Sequence, residues 1–304
     1  MLWLVQFSGI AILFAGSPLL WGVTQSVKAH LQGRRGPSVW QMYRVIAKNW
    51  EKETTAPEFS SLLFRLSPSV SMAALSVVLI MIPLSGQAPQ GWPSDLLSVF
   101  FLLALERFWV GLSGLDSAGT FGGLGASRTS TIGTGIEPAL LATFGVLWKV
   151  SGAGAIEPVS ASLKAVPTGV FALSLAAISF ALIMLAELGR MPVDNPDTHL
   201  ELTMIHEATI LETNGRLLAL SQFAMTLKLT VMIALGWVIF GPHSGSAWAN
   251  LGLMLVELIG TSAALGWIES RFTKIRYFQL PTYLSIAAGI GMLAFALSSG
   301  GFNL

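Results

Sequence analysis

The sequence predicts an all-α, polytopic membrane protein of about eight transmembrane helices, with one further helix on the cytoplasmic side of the membrane surface. Three observations predict it. Of the 304 residues, 53% are hydrophobic and only 11% charged, against roughly 25% charged in an ordinary soluble domain. The apolar residues gather into runs long enough to cross roughly 30 Å of hydrocarbon. Lys and Arg concentrate in alternate connections between those runs, as membrane topology requires.

The runs are Leu2 to Val23, Pro68 to Leu84, Leu96 to Leu115, Ile136 to Val150, Val166 to Ala186, Leu217 to Phe240, Leu251 to Ile268 and Leu280 to Ser299. The second and fourth are short for a crossing and are expected to extend into their flanks. The first is uncharged, has no basic residue before it and a basic cluster after it, and so reads as a retained span rather than a cleaved leader. No charged stretch is long enough to build a soluble domain, so residues 1–304 read as a single membrane domain.

Of the seventeen Lys and Arg residues, thirteen fall in odd-numbered connections, Lys149 and Lys164 in even ones, and Arg107 and Lys228 inside spans. This bias places the odd connections in the cytoplasm and both termini outside the inner (cytoplasmic) membrane. In the first connection, residues 38–52 interleave Val39, Met42, Tyr43, Val45, Ile46 and Trp50 with Arg44, Lys48 and Lys52. That spacing makes one apolar helical face, suited to lie at the interface with its cations among headgroups; a solvated helix packed on a partner has the same pattern. The third connection, Asp116 to Arg128, is glycine-rich, and Gly119 with Gly123 has the spacing of close helix contacts. It lacks the strand and Lys of a phosphate-binding loop.

A net charge of +1 offers no field to recruit nucleic acid. With no cysteine, the chain has no thiolates to hold an iron–sulfur cluster. Any such centre is expected in a partner, and the expectation for the chain itself is no cofactor and no metal.

Chemistry concentrates between residues 187 and 213. Six of the sixteen acidic residues, Glu187, Asp194, Asp197, Glu201, Glu207 and Glu212, lie within 26 positions. Pro192 and Pro196 break the preceding span, after which Asp197 or Thr198 could cap a helix starting near His199. On it His199 and His206, seven apart, would share a face, with Glu201 roughly 200° from His199. No compact metal-ligand set results, and His206-Glu207 lacks the second His of a zinc-protease helix. The acids alternate with Leu200, Leu202, Met204, Ile205 and Ile210, so the segment must bury an apolar side. Carboxylates packed into protein have raised and coupled proton affinities, as a proton relay requires, whereas a solvated acidic loop would not. Inside the spans stand Glu106, Arg107, Glu137, Lys228 and Glu257. Each costs at least about 2.5 kcal/mol at the bilayer centre unless paired or hydrated. Adjacent Glu106 and Arg107 point to different sides of their helix, and Lys228 either pairs structurally with a carboxylate such as Glu257 or takes part in proton transfer.

The string from Glu187 to Glu207, ELGRMPVDNPDTHLELTMIHE, resembles the corresponding loop of the complex I subunit 1 family, the membrane component of NADH-quinone oxidoreductases. It is most similar to the branch found in membrane-bound group 4 NiFe hydrogenases and formate hydrogenlyase-type complexes. Arg34-Arg-Gly-Pro37 followed by Trp40-Gln-Met-Tyr-Arg44, Ser113-Gly-Leu-Asp116 leading to Gly125-Ala-Ser-Arg128, and Glu137-Pro138 agree with it in order along nearly the whole chain. After Glu201 the sequence departs from the quinone-reducing pattern, having Ile205-His-Glu-Ala208, which puts quinone binding in doubt.

The resemblance implies a non-catalytic subunit that docks hydrophilic redox subunits, an iron–sulfur protein and a hydrogenase-like large subunit with iron–sulfur clusters and NiFe. Beside it stand antiporter-like membrane subunits and lipid. Its task is to couple electron transfer in the partners to proton or sodium movement. Glu187, Arg190, Asp194, Asp197 and Glu201 then belong to an acidic coupling loop, and Asp116 and Glu137 to the entrance of the membrane axis. Glu207, Glu212, Lys228 and Glu257 are further candidates for ion coupling, and Arg34, Arg35, Arg44, His199 and His206 for partner docking. The competing readings are a stand-alone secondary transporter, which predicts an inverted repeat, and a purely structural anchor.

Overall fold

A computed structural model describes residues 1–152, 154–156, 167–195 and 204–299. Its elements are α1 (Leu2–Leu31), α2 (Gln41–Glu51), α3 (Leu62–Met81), α4 (Leu96–Asp116), α5 (Thr120–Ser151), α6 (Pro167–Glu187), α7 (His206–Thr209), α8 (Gly215–Phe240), α9 (Ala247–Arg271) and α10 (Leu280–Ser299), with a 3-10 turn at Tyr277–Gln279 before the last. Among the described residues, eight helices are long and apolar enough to cross a membrane, and they coincide with the eight expected runs. The protein is an all-α, multi-pass membrane protein.

The two short runs lengthen as expected. α3 begins at Leu62, where the Ser61 hydroxyl accepts from Leu63 N at 3.2 Å. α5 reaches back to Thr120 and absorbs most of the third connection, which is therefore helix and not loop. The anticipated Gly119/Gly123 contact is displaced in register. Gly123 faces open space, whereas a Cβ on Gly122 would stand 2.6 Å from the Gly114 carbonyl oxygen, and one on Gly125 2.7 Å from Thr209 N. These two glycines let α5 lie against α4 and α7, because only a residue without a side chain permits that approach.

α8 is the central helix. Of its most apolar window 72% is buried inside the protein, against 28% for the last span. A helix that is apolar all round belongs in an interior. α8 touches α1, α2, α3, α6 and α9; α3 packs on α4, α4 on α5, and α5 and α6 on each other and on α10, while α1 pairs with α9.

Connections gather at two ends. At one, Ser61 meets Asp116, Arg216 N donates to Thr54 Oγ1 at 3.2 Å, and Lys274 meets Asp194. α2 and α7 sit here too. α2 is the helix expected over residues 38–52, and it is tied down by Tyr43 donating to the Ala15 carbonyl at 2.5 Å and Asn49 to Gln222 at 3.0 Å. At the opposite end, Gln6 bonds to Ile82 and Leu84, and Asn250 to Ser85.

Candidate functional site

Four of the intramembrane charges singled out in the sequence, Glu106, Arg107, Glu137 and Lys228, meet inside the bundle, joined by Glu187. Lys228, about 20 Å along α8 from Gly215 at 1.5 Å per residue, places Nζ 2.7 Å from Glu106 Oε2 of α4 and 2.7 Å from Glu187 Oε1 of α6. The first contact is an aligned hydrogen bond; the second is an ion pair in poor hydrogen-bond orientation. On its other oxygen, Glu187 accepts from Arg107 Nη2 at 2.7 Å, and Arg107 Nη1 reaches Glu137 Oε1 of α5 at 3.1 Å. The order is Glu106, Lys228, Glu187, Arg107, Glu137: three carboxylates interleaved with two cations, one negative charge in excess.

Adjacency of Glu106 and Arg107 sends their side chains to different neighbours, as helix geometry dictates. Gly133 leaves room for the guanidinium stem, since a Cβ there would stand 3.1 Å from Arg107 Cδ. The Glu187 side chain is 1% exposed and that of Glu137 46%, so the ladder runs from a buried centre to an open end. Isolated charges at this depth would be prohibitive, and alternation of sign is what lets them stay.

Cavities flank the ladder. Two of about 40 Å³ each adjoin Glu106, Glu187 and Lys228 and extend to His206, one of them also touching Asp194. Roughly 10–15 Å³ of such volume holds a water molecule. Buried polar atoms without a hydrogen-bond partner among the described residues border them: Ser71 Oγ in one, Thr129 Oγ1 and Arg107 Nε in the other. Polar walls with unmatched donors and acceptors are what a bridging water needs. Beyond the far end of the ladder, Glu137 and Arg107 open into a third cavity of about 220 Å³ between α4 and α5.

A second buried cluster fastens the segment after α6. Arg190, fully buried, donates Nη1 to Glu269 Oε1 of α9 at 2.7 Å, and its guanidinium lies 3.7 Å from the centre of the Trp21 ring. Glu269 Oε2 also meets Lys28 Nζ of α1 at 3.1 Å. Asp194, 3% exposed, accepts from Lys274 Nζ at 2.5 Å, from Asn195 N at 2.9 Å and from His206 N at 3.2 Å.

The structure thus brings Glu187, Lys228 and Glu137 together, with Glu106 and Arg107, and sets Asp194 and His206 at the cavities leading to them. Arg190 joins the second cluster, apart from the ladder. Asp116 lies apart as well: its carboxylate accepts from Ser61 N, Ser61 Oγ and Phe64 N at 2.9 to 3.0 Å and so caps the start of α3. Glu212 is exposed and lies beside Gly119, and Glu207 is half-buried on α7. Lys228 does pair with carboxylates, but with Glu106 and Glu187, while Glu257 lies beside Ile233, Gly236 and Trp237 farther along α8. Arg34, Arg35 and Arg44 are exposed at the loop-rich end. Asp197, His199 and Glu201 lie outside the described residues.

The helix expected to carry His199 and His206 on one face is not continuous, because Met204 and Ile205 are outside helix and α7 starts at His206. Among the described residues, no three His, Asp or Glu side chains converge as metal ligands would. Sequence reading missed Lys28, counted as a loop charge, and Glu269. The signal was a carboxylate two residues before the end of an apolar helix, where solvent exposure is the default reading.

Fold and site together define a multi-pass membrane protein with a chain of paired charges through its interior. A protein-family model described as NADH dehydrogenase matches residues 4–298, and the chain belongs to this family, the complex I subunit 1 family that the loop resembles. Hydrogenase-4 component C of Escherichia coli (strain K12) is 34% identical over 251 residues, covering 82% of this chain and 79% of that protein. Formate hydrogenlyase subunit 4 of the same organism is 28% identical over 295 residues, covering 93% and 94%. A chain of the membrane-bound sulfane sulfur reductase, an archaeal respiratory membrane complex, shares the fold with a TM-score of 0.81 at 21% identity, over 97% of this chain and 99% of that one.

Proposed function

We propose that this chain is a non-catalytic membrane subunit of a complex I-like or energy-converting hydrogenase complex, coupling electron transfer in its partners to proton or sodium movement. The observation that carries the reading is the unbroken ladder from Glu106 to Glu137, flanked by cavities toward Asp194 and His206 on one side and between α4 and α5 on the other. Glu187 is its pivot, because both cations bond to it. Neutralising Glu187 frees Lys228 toward Glu106 and Arg107 toward Glu137, so an event at the loop-rich end changes the charge balance at the open end. A structural anchor needs no excess carboxylate and no cavities along its ion pairs.

In this reading the hydrophilic redox subunits cover residues 189–213 with Arg34, Arg35, Arg44, His199 and His206, and carry the iron–sulfur clusters and NiFe centre. Antiporter-like membrane subunits continue the path beyond Glu137. The loop-rich end faces the cytoplasm and both termini lie outside the inner membrane, in keeping with the thirteen-to-two distribution of loop cations. The chain has no cysteine, so Arg34→Cys and Lys274→Cys report their side without background; labelling by an impermeant reagent from outside would overturn the orientation.

The direct test is Glu137→Gln, with Glu201→Gln for the acid in the coupling loop. Glutamine keeps shape and hydrogen bonding and removes the titratable proton. Ion movement per electron, measured in membranes where the complex assembles to normal yield, is lost in both. Normal pumping by both variants overturns the reading, and reduced assembly with normal pumping of what assembles identifies the anchor.

A further inference from the structure

Glu257 is a candidate from the sequence that belongs to neither buried cluster. It stands near the middle of α9, half-buried, and has no hydrogen bond or ion pair among the described residues. Its carboxylate borders a crevice of about 200 Å³ between α6, α8 and α9, walled by Phe180, Trp237 and Phe240, with Gly236 and Thr261 at its sides. Trp237, 4% exposed, lines the same crevice, and its indole N–H finds no acceptor among the described residues. On α9 the surface beside Glu257 carries Leu253, Gly260 and Ala264, all exposed, and nothing lies within 4 Å of where a Gly260 Cβ would be. Small residues at a lipid-facing surface admit the close backbone approach of another helix. A carboxylate at this depth is retained where a cation or hydrogen-bond donor meets it. An aromatic wall next to it suits an ammonium or guanidinium, which the ring faces attract.

We infer that this crevice receives a transmembrane helix of a partner subunit, packed on Gly260 and bearing a Lys or Arg that pairs with Glu257. The inference rests on the proposed membership of a multisubunit membrane complex, and not on the ion ladder. Charge complementarity selects a basic helix over a phospholipid, whose phosphate the carboxylate would repel.

The test uses the complete complex in its native membranes, with the photoreactive residue p-benzoylphenylalanine in place of Leu253. Illumination gives one adduct, to a membrane subunit, and mass spectrometry places it within a helical turn of a Lys or Arg in an apolar segment. Glu257→Gln and, separately, Gly260→Leu each reduce that adduct roughly three- to tenfold, the range expected from interhelical polar contacts, with the amount of this chain in the membrane unchanged. Exchanging the charges, Glu257→Lys with the partner's basic residue changed to Glu, restores it. An adduct to lipid alone, an adduct to a segment without a basic residue, or adduct yields indifferent to Glu257→Gln overturn the inference. Because the readout is contact and not ion movement, a failure here leaves the coupling reading standing, and the converse holds.

Discussion

Replacing Glu187 by Gln removes the one carboxylate that both Lys228 and Arg107 touch at 2.7 Å. A glutamine side chain has one accepting oxygen and an NH₂ that can only donate. Whichever cation meets the NH₂ faces a donor, so one of the two pairs is lost while the other survives as a hydrogen bond from a cation to an uncharged amide oxygen. Breaking one partner of a buried pair costs about 3–5 kcal/mol. The side chain is 1% exposed, so solvent does little to soften this. If relay through the ladder depends on that link, about 3 kcal/mol on the transfer barrier slows it roughly a hundredfold, at about 1.36 kcal/mol per factor of ten. Ion uptake per electron in inverted membrane vesicles therefore falls to background, while redox turnover with an uncoupler present is retained to the extent that the complex assembles. Lys228 and Arg107 each keep another carboxylate, Glu106 and Glu137, so the fold is expected to survive. A Glu187→Gln complex that translocates ions at the unmodified ratio would refute the reasoning.

Asp116→Ala removes the cap on α3 and destabilises the protein by about 1 kcal/mol with ion movement per electron unchanged; a thermal melt and a pumping assay on the same preparation check both halves, and loss of pumping in protein of normal stability would return Asp116 to the path. Arg190→Met leaves Glu269 with Lys28 alone and removes the stacking on Trp21, so the complex is expected to lose about 3–5 kcal/mol and the segment after α6 to become an early site of proteolysis; an unchanged melting temperature would contradict it. At the opposite end, burial pushes the His243 imidazole below its ordinary value, opposed by its contact with the Gly241 carbonyl. The fold thus favours the neutral ring. Its contribution is fully present above the unfolded value of about 6.5 and is lost as pH falls from there through the lower folded value. Melting temperature is expected to decline over that window and to decline less in His243→Gln; parallel profiles would exclude the residue.

Much of this protein is written in local terms. Eight apolar runs define eight helices because hydrocarbon leaves a backbone no other way to satisfy its polar groups, so composition and length suffice. The amphipathic stretch of residues 38–52 is legible as a helix, but not the whole of its buried face, since Met42 and the polar Asn49 are buried and Trp50 is exposed. Glu106, Arg107, Glu137, Lys228 and Glu257 are conspicuous as charges where charge is costly. Their grouping is not legible. Glu257 is nearer to Lys228 in sequence than Glu187 or Glu106, so sequence distance does not pick its partners; the placement of α4 and α6 does, bringing Glu106 and Glu187 to it. Asp116 reads as a candidate for ion coupling, while its hydrogen bonds to Ser61 and Phe64 at the start of α3 are not legible, because they depend on α3 and α4 meeting at their loop-rich ends. Lys28 and Glu269 sit close to span ends, where sequence assigns charges to solvent, yet α1 and α9 bring them together around Arg190. The glycines of the third connection show the same division. Their number announces a close approach, but which two make it depends on the register of a helix longer than the apolar pattern alone suggests. Sequence by itself determines which segments leave water and which charges accompany them; the tertiary structure decides which charges neutralise one another, since that depends on helix contacts among residues about 30 to more than 200 positions apart.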